Sequence, residues 1–364
     1  MRRIVIALLA VSLIAIVVTI VGGVRHDYID YLKQWALVLS GADPWSTNNA
    51  YGPLHNVFAW LVPVHPLAPK VATATAFLIA NGLLVLRLAQ NAGISSTYWT
   101  AIGANVLVLV SAFWFGLNDA FVAALILGAV LARLDGRMVL AGLLLGLAAL
   151  DKYYPALLIP FFAMDARRFE VRLLLSSLGT IAAGMCAAFL IWGGAALEAI
   201  IFGVSRDATI LSILRPIAVA GRALGIGDVT DLLVRLNGPM VVLVWVGAIW
   251  LAWRRSDHWL VAACWGLFAV LLTYKVGNPQ FWVAWLALVG ALPLFERDDA
   301  DRLARLALPF AIFLTIFEIG YVVLAPQYYQ GRWLWVNDWI GIPAFVLGLA
   351  ILVPFLRRAS RPQP

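Results

Sequence analysis

RRIVIALLAVSLIAIVVTIVGGVRHDYIDYLKQWALVLSGADPWSTNNAYGP, residues 2–53, sets an apolar run from Ile4 to Val21 almost directly against a polar, aromatic segment from Arg25 to Pro53. The run exceeds the roughly 7–15 residues of a signal-peptide core and has no convincing small-residue cleavage site, so it reads as a retained first membrane helix. The segment after it puts two carboxylates, Asp27 and Asp30, at the water boundary of a chain that otherwise avoids charge. Charge near lipid is costly, and where it persists it commonly serves function.

Composition extends this reading to the whole chain. Of 364 residues, 63% are hydrophobic and only 12% charged, far outside the soluble range, which implies an all-α polytopic membrane protein. The net charge of +7 comes largely from Arg pairs at loop edges, where anionic headgroups and the insertion machinery account for it without nucleic acid. Cys186 and Cys264 stand in apolar runs without paired spacing, so neither a disulfide framework nor a metal knuckle is indicated.

The arginines set the threading. Arg2 and Arg3, Arg87, Arg133 and Arg137, Arg167, Arg168 and Arg172, Arg254 and Arg255, the 296–305 cluster, and Arg357, Arg358 and Arg361 can all face the cytoplasm together. This gives about twelve spans, near 4–23, 68–90, 98–116, 119–134, 138–150, 154–163, 172–193, 238–253, 258–273, 279–295, 305–325 and 339–356. Both termini then lie in the cytoplasm. Several spans are shorter than the roughly 20 residues a bilayer asks for, the pair 138–150 and 154–163 most of all. Without a repeat or a soluble insert, residues 1–364 read as a single membrane domain.

The same threading sends a second polar set outward: Asn118, Asp119, Asp151, Lys152, Arg206, Asp207, Arg215, Arg222, Lys275, Asn278, Gln280 and Arg332. These are expected to converge on the first outer loop, making a surface suited to an anionic lipid with a polar head. Within that loop, Asp27 can cap a helix from about Tyr28 to Ser40, with Ile29, Leu32, Trp35, Ala36 and Leu39 as its apolar stripe and Gly41 as its stop. Such a helix lies on the membrane. A second short apolar segment from Pro53 to about Val64 reads as a surface or re-entrant helix.

At this point the motifs resemble a known family. A first helix followed by D-x-x-x-Y (Asp27–Tyr31), Gly-x-x-Pro-aromatic (Gly41–Trp45) and Tyr-x-Pro-Leu (Tyr51–Leu54) is similar to the GT-C integral-membrane glycosyltransferases, glycosyltransferase family 87 in particular. NDAFVAALILGAVLARLDGRMVLAGLLLGLAALDKYYPALLIP, residues 118–160, resembles that family's Asp-bearing helix, arginine turn, Gly-rich helix and Lys-x-x-Pro element, with Asn118, Asp119, Lys152, Tyr153 and Pro155 at the matching positions. The chain departs from the family in Pro44-Trp45 for the usual Pro-Tyr and Tyr51-Gly52-Pro53 for the usual Tyr-Pro-Pro. The resemblance implies a GT-C-like bundle, with 1–193 as catalytic module and 194–364 as a variable part that binds the donor lipid. It also implies a polyprenyl-phosphate sugar, often mannose, as donor on the extracytoplasmic face of the plasma membrane. The acceptor would be a glycolipid or polysaccharide, and Asp27 the catalytic base.

The residues meet that chemistry. Transfer from a lipid phosphate to an alcohol needs a base near the hydroxyl and positive charge on the departing phosphate. Asp27 supplies the first; Lys152, Arg206, Arg215, Lys275 and Arg332 are candidates for the second. Asp30, Tyr31, Tyr51, Asn118, Asp119, Tyr153 and Gln280 complete the expected substrate-binding set. No cofactor or metal is called for, because a monophosphate carries little enough charge for protein cations to balance and no metal-ligand cluster is visible. Direct displacement would invert the anomeric centre. Plainer roles compete: Asp27 as helix cap, Asn118 and Asp119 likewise, Lys152 as a snorkelling side chain paired with Asp151, and Arg222 on the basic face of an interfacial helix. At the level of function the rivals are a transporter or lipid flippase, a non-catalytic assembly partner, and transfer of another lipid-linked sugar such as arabinofuranose.

Overall fold

The computed structural model describes residues 2–47, 49–91, 106–165, 168–294, 305–320 and 334–358. They form an almost entirely helical membrane protein. The first helix, α1 (Arg2–Gly22), leaves Leu9, Leu13, Ile14 and Val21 more than half exposed, an aliphatic surface that only lipid can solvate. Next come α2 (Asp27–Leu39), a 3₁₀ segment at Pro53–Leu61, α3 (Ala68–Asn91), a π-helical turn at Leu109–Trp114, α4 (Asp119–Leu134) and α5 (Met138–Asp151). After 3₁₀ and α-helical turns at Tyr154–Ala163 follow α6 (Val171–Trp192), α7 (Glu198–Ser205), α8 (Leu214–Ala223), α9 (Gly227–Arg235) and α10 (Asn237–Arg255). The chain continues through α11 (Trp259–Thr273), α12 (Trp282–Ala291), α13 (305–320) and α14 (Gly341–Arg358).

By length and composition four of the described helical segments can cross a bilayer, or five if α9 and α10, bent by 45°, are one span. The helix over Met138–Asp151, the turns of Tyr154–Ala163, the helix over Trp259–Thr273 and the stretch Pro279–Leu294 are shorter. The physical reason is their position. Every residue of α12 is buried, as is most of α11, so these segments are solvated by protein and need not match the lipid thickness. α12 packs on α4, α11 on α10 and α12, and α5 on α6. The α5–α6 seam is built from small residues: a Cβ at Gly146 would lie 2.6 Å from Thr180 Cβ, and one at Gly142 would collide with Ser176. This G-x-x-x-G spacing lets the two backbones close up and gain dispersion contact where lipid offers no hydrophobic drive.

The first outer segment differs from its expected form in two respects. Asp27 is the first residue of α2, not its cap; His26 holds the cap position with φ 53°, and no side chain caps the helix. The stripe facing the protein is Tyr28, Tyr31, Gln34 and Trp35, whereas Ile29, Ala36 and Leu39 face outward. Hydrogen-bonding aromatics gain more from the protein side. Tyr28 Oη donates to Pro66 O (2.7 Å), Trp35 Nε1 to His55 O (2.9 Å) and Gln34 Nε2 to Asn56 Oδ1 (2.7 Å), latching α2 onto the 3₁₀ segment. Lys70, fully buried, donates to Gly23 O (3.0 Å) and Trp114 O (2.7 Å), tying the ends of α1 and the π-helical turn to the start of α3.

The polar connection from Gly193 to Asn237 is mostly helical, with α8 and α9 amphipathic and joined at their edges by Arg222 and Asp231, 3.8 Å apart. Between α7 and α8, strand β1 (Thr209–Ile210) pairs in parallel with β2 (Val276–Gly277). Gly277 is required there, because a Cβ would lie 2.7 Å from the Leu211 carbonyl carbon and closer still to Ser212 N. This two-residue ladder carries the loop after α11 to the mouth of α2.

Candidate active site

Asp27 lies where three elements meet. Its place at the start of α2 aims the carboxylate off the helix axis, with Oδ1 2.9 Å from His26 Nδ1 and Oδ2 accepting from Gln280 Nε2 at 3.3 Å. Burial by itself would raise the Asp27 pKa, but the neighbouring His26 and Lys152 and the Gln280 hydrogen bond outweigh it and hold the carboxyl below its usual value. For His26 burial works downward, and the hydrogen bond to Asp27 with the charges of Asp27, Glu318 and Asp30 turns the net shift upward. The two shifts run in opposite directions, and each favours the charged form of its group. The His26 ring also lies against Phe115, tilted by 35° with centroids 4.6 Å apart.

Asp27, Asp30, Tyr51, Lys152, Arg206 and Gln280 line one cavity of ≈ 210 Å³. Lys152 stands at its inner wall, where its ammonium is 2.7 Å from the fully buried Asp119 Oδ2 and 4.3 Å from the Phe281 ring centroid. The partner of Lys152 is thus Asp119, 33 residues upstream, and not adjacent Asp151, whose two carboxylate oxygens are buried without a hydrogen-bond partner among the described residues. Arg206, at the C-terminus of α7, forms no ion pair among the described residues; its guanidinium lies over the Phe202 ring, 5.6 Å from the centroid, at the cavity wall. Asn278 lines the same cavity and is held by Thr209 Oγ1, which donates to its Oδ1 (3.1 Å).

The floor is aromatic. Tyr31, buried behind Tyr51, meets it edge-on at 4.8 Å, and His55 sits 4.7 Å and 4.6 Å from the two rings. Burial pushes the His55 pKa down to about 3, so that ring is neutral. Tyr31 Oη accepts from the Asn118 backbone at 3.4 Å, and Asn118 and Asp119 lie beneath the cavity, supporting its wall. The departures from the family pattern interlock here. Trp45 Nε1 donates to Tyr51 O (2.8 Å), and Gly52 N donates to Asp151 O (2.8 Å), a bond proline cannot make.

Other expected residues lie elsewhere. Tyr153 packs beside Trp45 and Trp192, away from the cavity. Arg215 pairs with Asp338 at 2.7 Å. Lys275 donates to Val204 O at 2.6 Å and so closes the C-terminus of α7. Arg332 lies outside the described residues. The cavity also has wall residues that sequence reading passed over, including Gln34, Thr47, Asn49, Phe202 and Phe281. Glu318 faces an adjoining cavity, and it carries a legible signal: a carboxylate inside the apolar run IFLTIFEIG. No group of three or more His, Cys, Asp or Glu side chains that could hold a metal occurs among the described residues.

The family model for glycosyltransferase family 87 matches residues 49–273, more than half of the chain. The chain belongs to glycosyltransferase family 87. Comparison with curated proteins gives no match. As a family 87 glycosyltransferase it acts at a membrane on a sugar donor and an acceptor. The matched region contains Tyr51, Asp119, Lys152 and Arg206, whereas Asp27 lies before it and Gln280 after it. The cavity joins what the family match covers to what it leaves out.

Proposed function

We propose that this family 87 enzyme is an inverting glycosyltransferase that moves a sugar, mannose foremost, from a polyprenyl-phosphate donor to a hydroxyl of a glycolipid or polysaccharide. Asp27 is the general base, and the reaction faces the extracytoplasmic side of the plasma membrane. The observation that carries this reading is an ionised carboxylate in one cavity with two cations, Lys152 and Arg206. Asp27 takes the proton of the acceptor hydroxyl as its oxygen attacks the anomeric carbon. The bond from that carbon to the phosphate oxygen breaks, and Lys152 and Arg206 receive the phosphate charge. His26 on Oδ1 and Gln280 on Oδ2 each occupy one lone pair of the Asp27 carboxylate, and the remaining lone pairs are left to meet the hydroxyl. Because both cations come from the chain, transfer is expected to persist in excess EDTA.

The test is transfer of radiolabelled mannose from polyprenyl-phosphate mannose into lipid and polymer fractions of membranes carrying wild type, Asp27→Asn or Asp27→Ala at equal protein levels. Label incorporated by wild type alone supports the assignment. Incorporation that survives both substitutions removes Asp27 from the chemistry. Absence of transfer from wild type with mannose, arabinofuranose and other hexose donors alike sinks the polyprenyl-phosphate reading and leaves the transporter or flippase role as the one to test.

A further inference from the structure

Asp27 stands in a wall shared by two cavities. The second, of ≈ 220 Å³, is lined by Glu318 from α13 as well as by Asp27. Glu318 is 3% exposed, and its Oε2 is buried without a hydrogen-bond partner among the described residues. A buried carboxylate oxygen left without a donor is costly, so the site calls for a molecule that brings one. One water does not fill the space, since a water takes about 30 Å³. The cavity is also smaller than the roughly 300–1,000 Å³ pockets of drug-sized ligands, which leaves room for about one ring.

The lining names the ring. Ser111, Asn278 and Gln280 offer neutral donors and acceptors, while Phe115, Leu117 and Pro279 offer flat apolar surface. Hydroxyl edges with C–H faces match that mixture, and a fully apolar ring would strand its polar atoms. The two chambers share Asp27 and Arg206 and differ in their other charged groups: Lys152 and Asp30 line only the first, His26 and Glu318 only the second. Lys152, the ammonium proposed to receive the donor phosphate, therefore faces the first chamber alone.

We infer that the chamber lined by Asp27 and Glu318 is an acceptor subsite for a single neutral sugar ring, with Glu318 accepting a hydrogen bond from a ring hydroxyl. The inference rests on the glycosyltransferase reading and adds to it which substrate lies on which side of Asp27. The acceptor ring occupies the Glu318 side, and the donor phosphate occupies the Lys152 side.

The test uses the purified full-length chain in lipid nanodiscs, with octyl α-mannopyranoside and octyl β-glucopyranoside as probes and tetraethylene glycol monooctyl ether as a sugar-free control. Binding is followed by tryptophan fluorescence and saturation-transfer NMR. At least one glycoside is expected to bind more tightly than the control, with that affinity lowered about tenfold or more by Glu318→Leu and by Ile210→Phe and left within about twofold by Ala50→Phe, which narrows the first cavity alone. Ile210→Phe narrows the chamber without touching the acid, so a folding defect in one variant does not remove the test. The subsite is overturned if wild type does not discriminate glycosides from the control, if both chamber variants retain affinity, or if Ala50→Phe is the variant that loses it. Glycoside binding that depends on Glu318, in a wild type that transfers sugar from no polyprenyl-phosphate donor, upholds the subsite and refutes the transfer reaction.

Discussion

Asp27 owes its state to its neighbours. Its carboxyl is held below 3.8, so the ionised form and any stability it lends persist above that pH and are lost as pH falls through the lowered folded value. His26 is held above 6.5, so its contribution is complete below 6.5 and fades as pH rises through the raised value. The acid limb of kcat/KM is accordingly expected below pH 3.8 in wild type and at higher pH in His26→Leu, where burial of Asp27 is less opposed; a pH–rate series on both proteins checks this. Asp27→Asn is expected to lower kcat by about 10²–10⁴-fold, the usual contribution of a general base, with retained thermal stability as the control. The buried Lys152–Asp119 pair at 2.7 Å separates structure from chemistry. Asp119→Ala alone should cost about 3–5 kcal/mol by stranding the ammonium, while Asp119→Leu with Lys152→Met should recover most of that stability yet stay inactive. Unfolding midpoints in detergent and transfer assays on the same preparations read both halves of that prediction.

Short elements place these side chains. The parallel β1–β2 ladder is only two residues long on each strand, yet it sets Asn278 and Gln280 opposite Asp27. Gly277→Ala should force the strands apart, lengthen the Gln280–Asp27 contact and reduce kcat more than it lowers the melting temperature. Gly146→Leu should do the reverse. It would wedge α5 from α6 and lower stability by several kcal/mol, overpacking typically costing about 1–3 kcal/mol with lost helix contact added. Measuring both variants for transfer and for unfolding distinguishes the seam from the ladder. α2 shows why an apolar stripe alone was an incomplete guide: Ile29, Ala36 and Leu39 do share a face, but that face points outward, and the helix is held through Tyr28, Gln34 and Trp35.

For the molecule as a whole, the proposed threading puts the cavity on the outer face and makes a labelling prediction. In a Cys186→Ser background, Ser46→Cys should react with a membrane-impermeant maleimide added to intact cells and Arg137→Cys only after permeabilisation. Both positions are exposed, and buried Cys264 adds no background. The reverse pattern would invert the proposed orientation. Arg87 and Asp135, 2.9 Å apart, tie the turn of Arg137 to the end of α3 on the same side. The sequence by itself determined the helical membrane class and the positions of the main apolar helices, because lipid solvation imposes runs of apolar residues that composition displays directly. It also singled out Asp27, Lys152, Arg206 and Gln280, whose charge or polarity is conspicuous at helix ends. Only the tertiary structure decided that Lys152 pairs with Asp119, that Lys275 and Arg215 are spent on Val204 and Asp338, and that Glu318 lines a cavity with Asp27. Those outcomes depend on which distant groups meet, up to 253 residues apart for Gln280 and Asp27, and on which charges find partners once water is excluded; neither quantity is local in the chain.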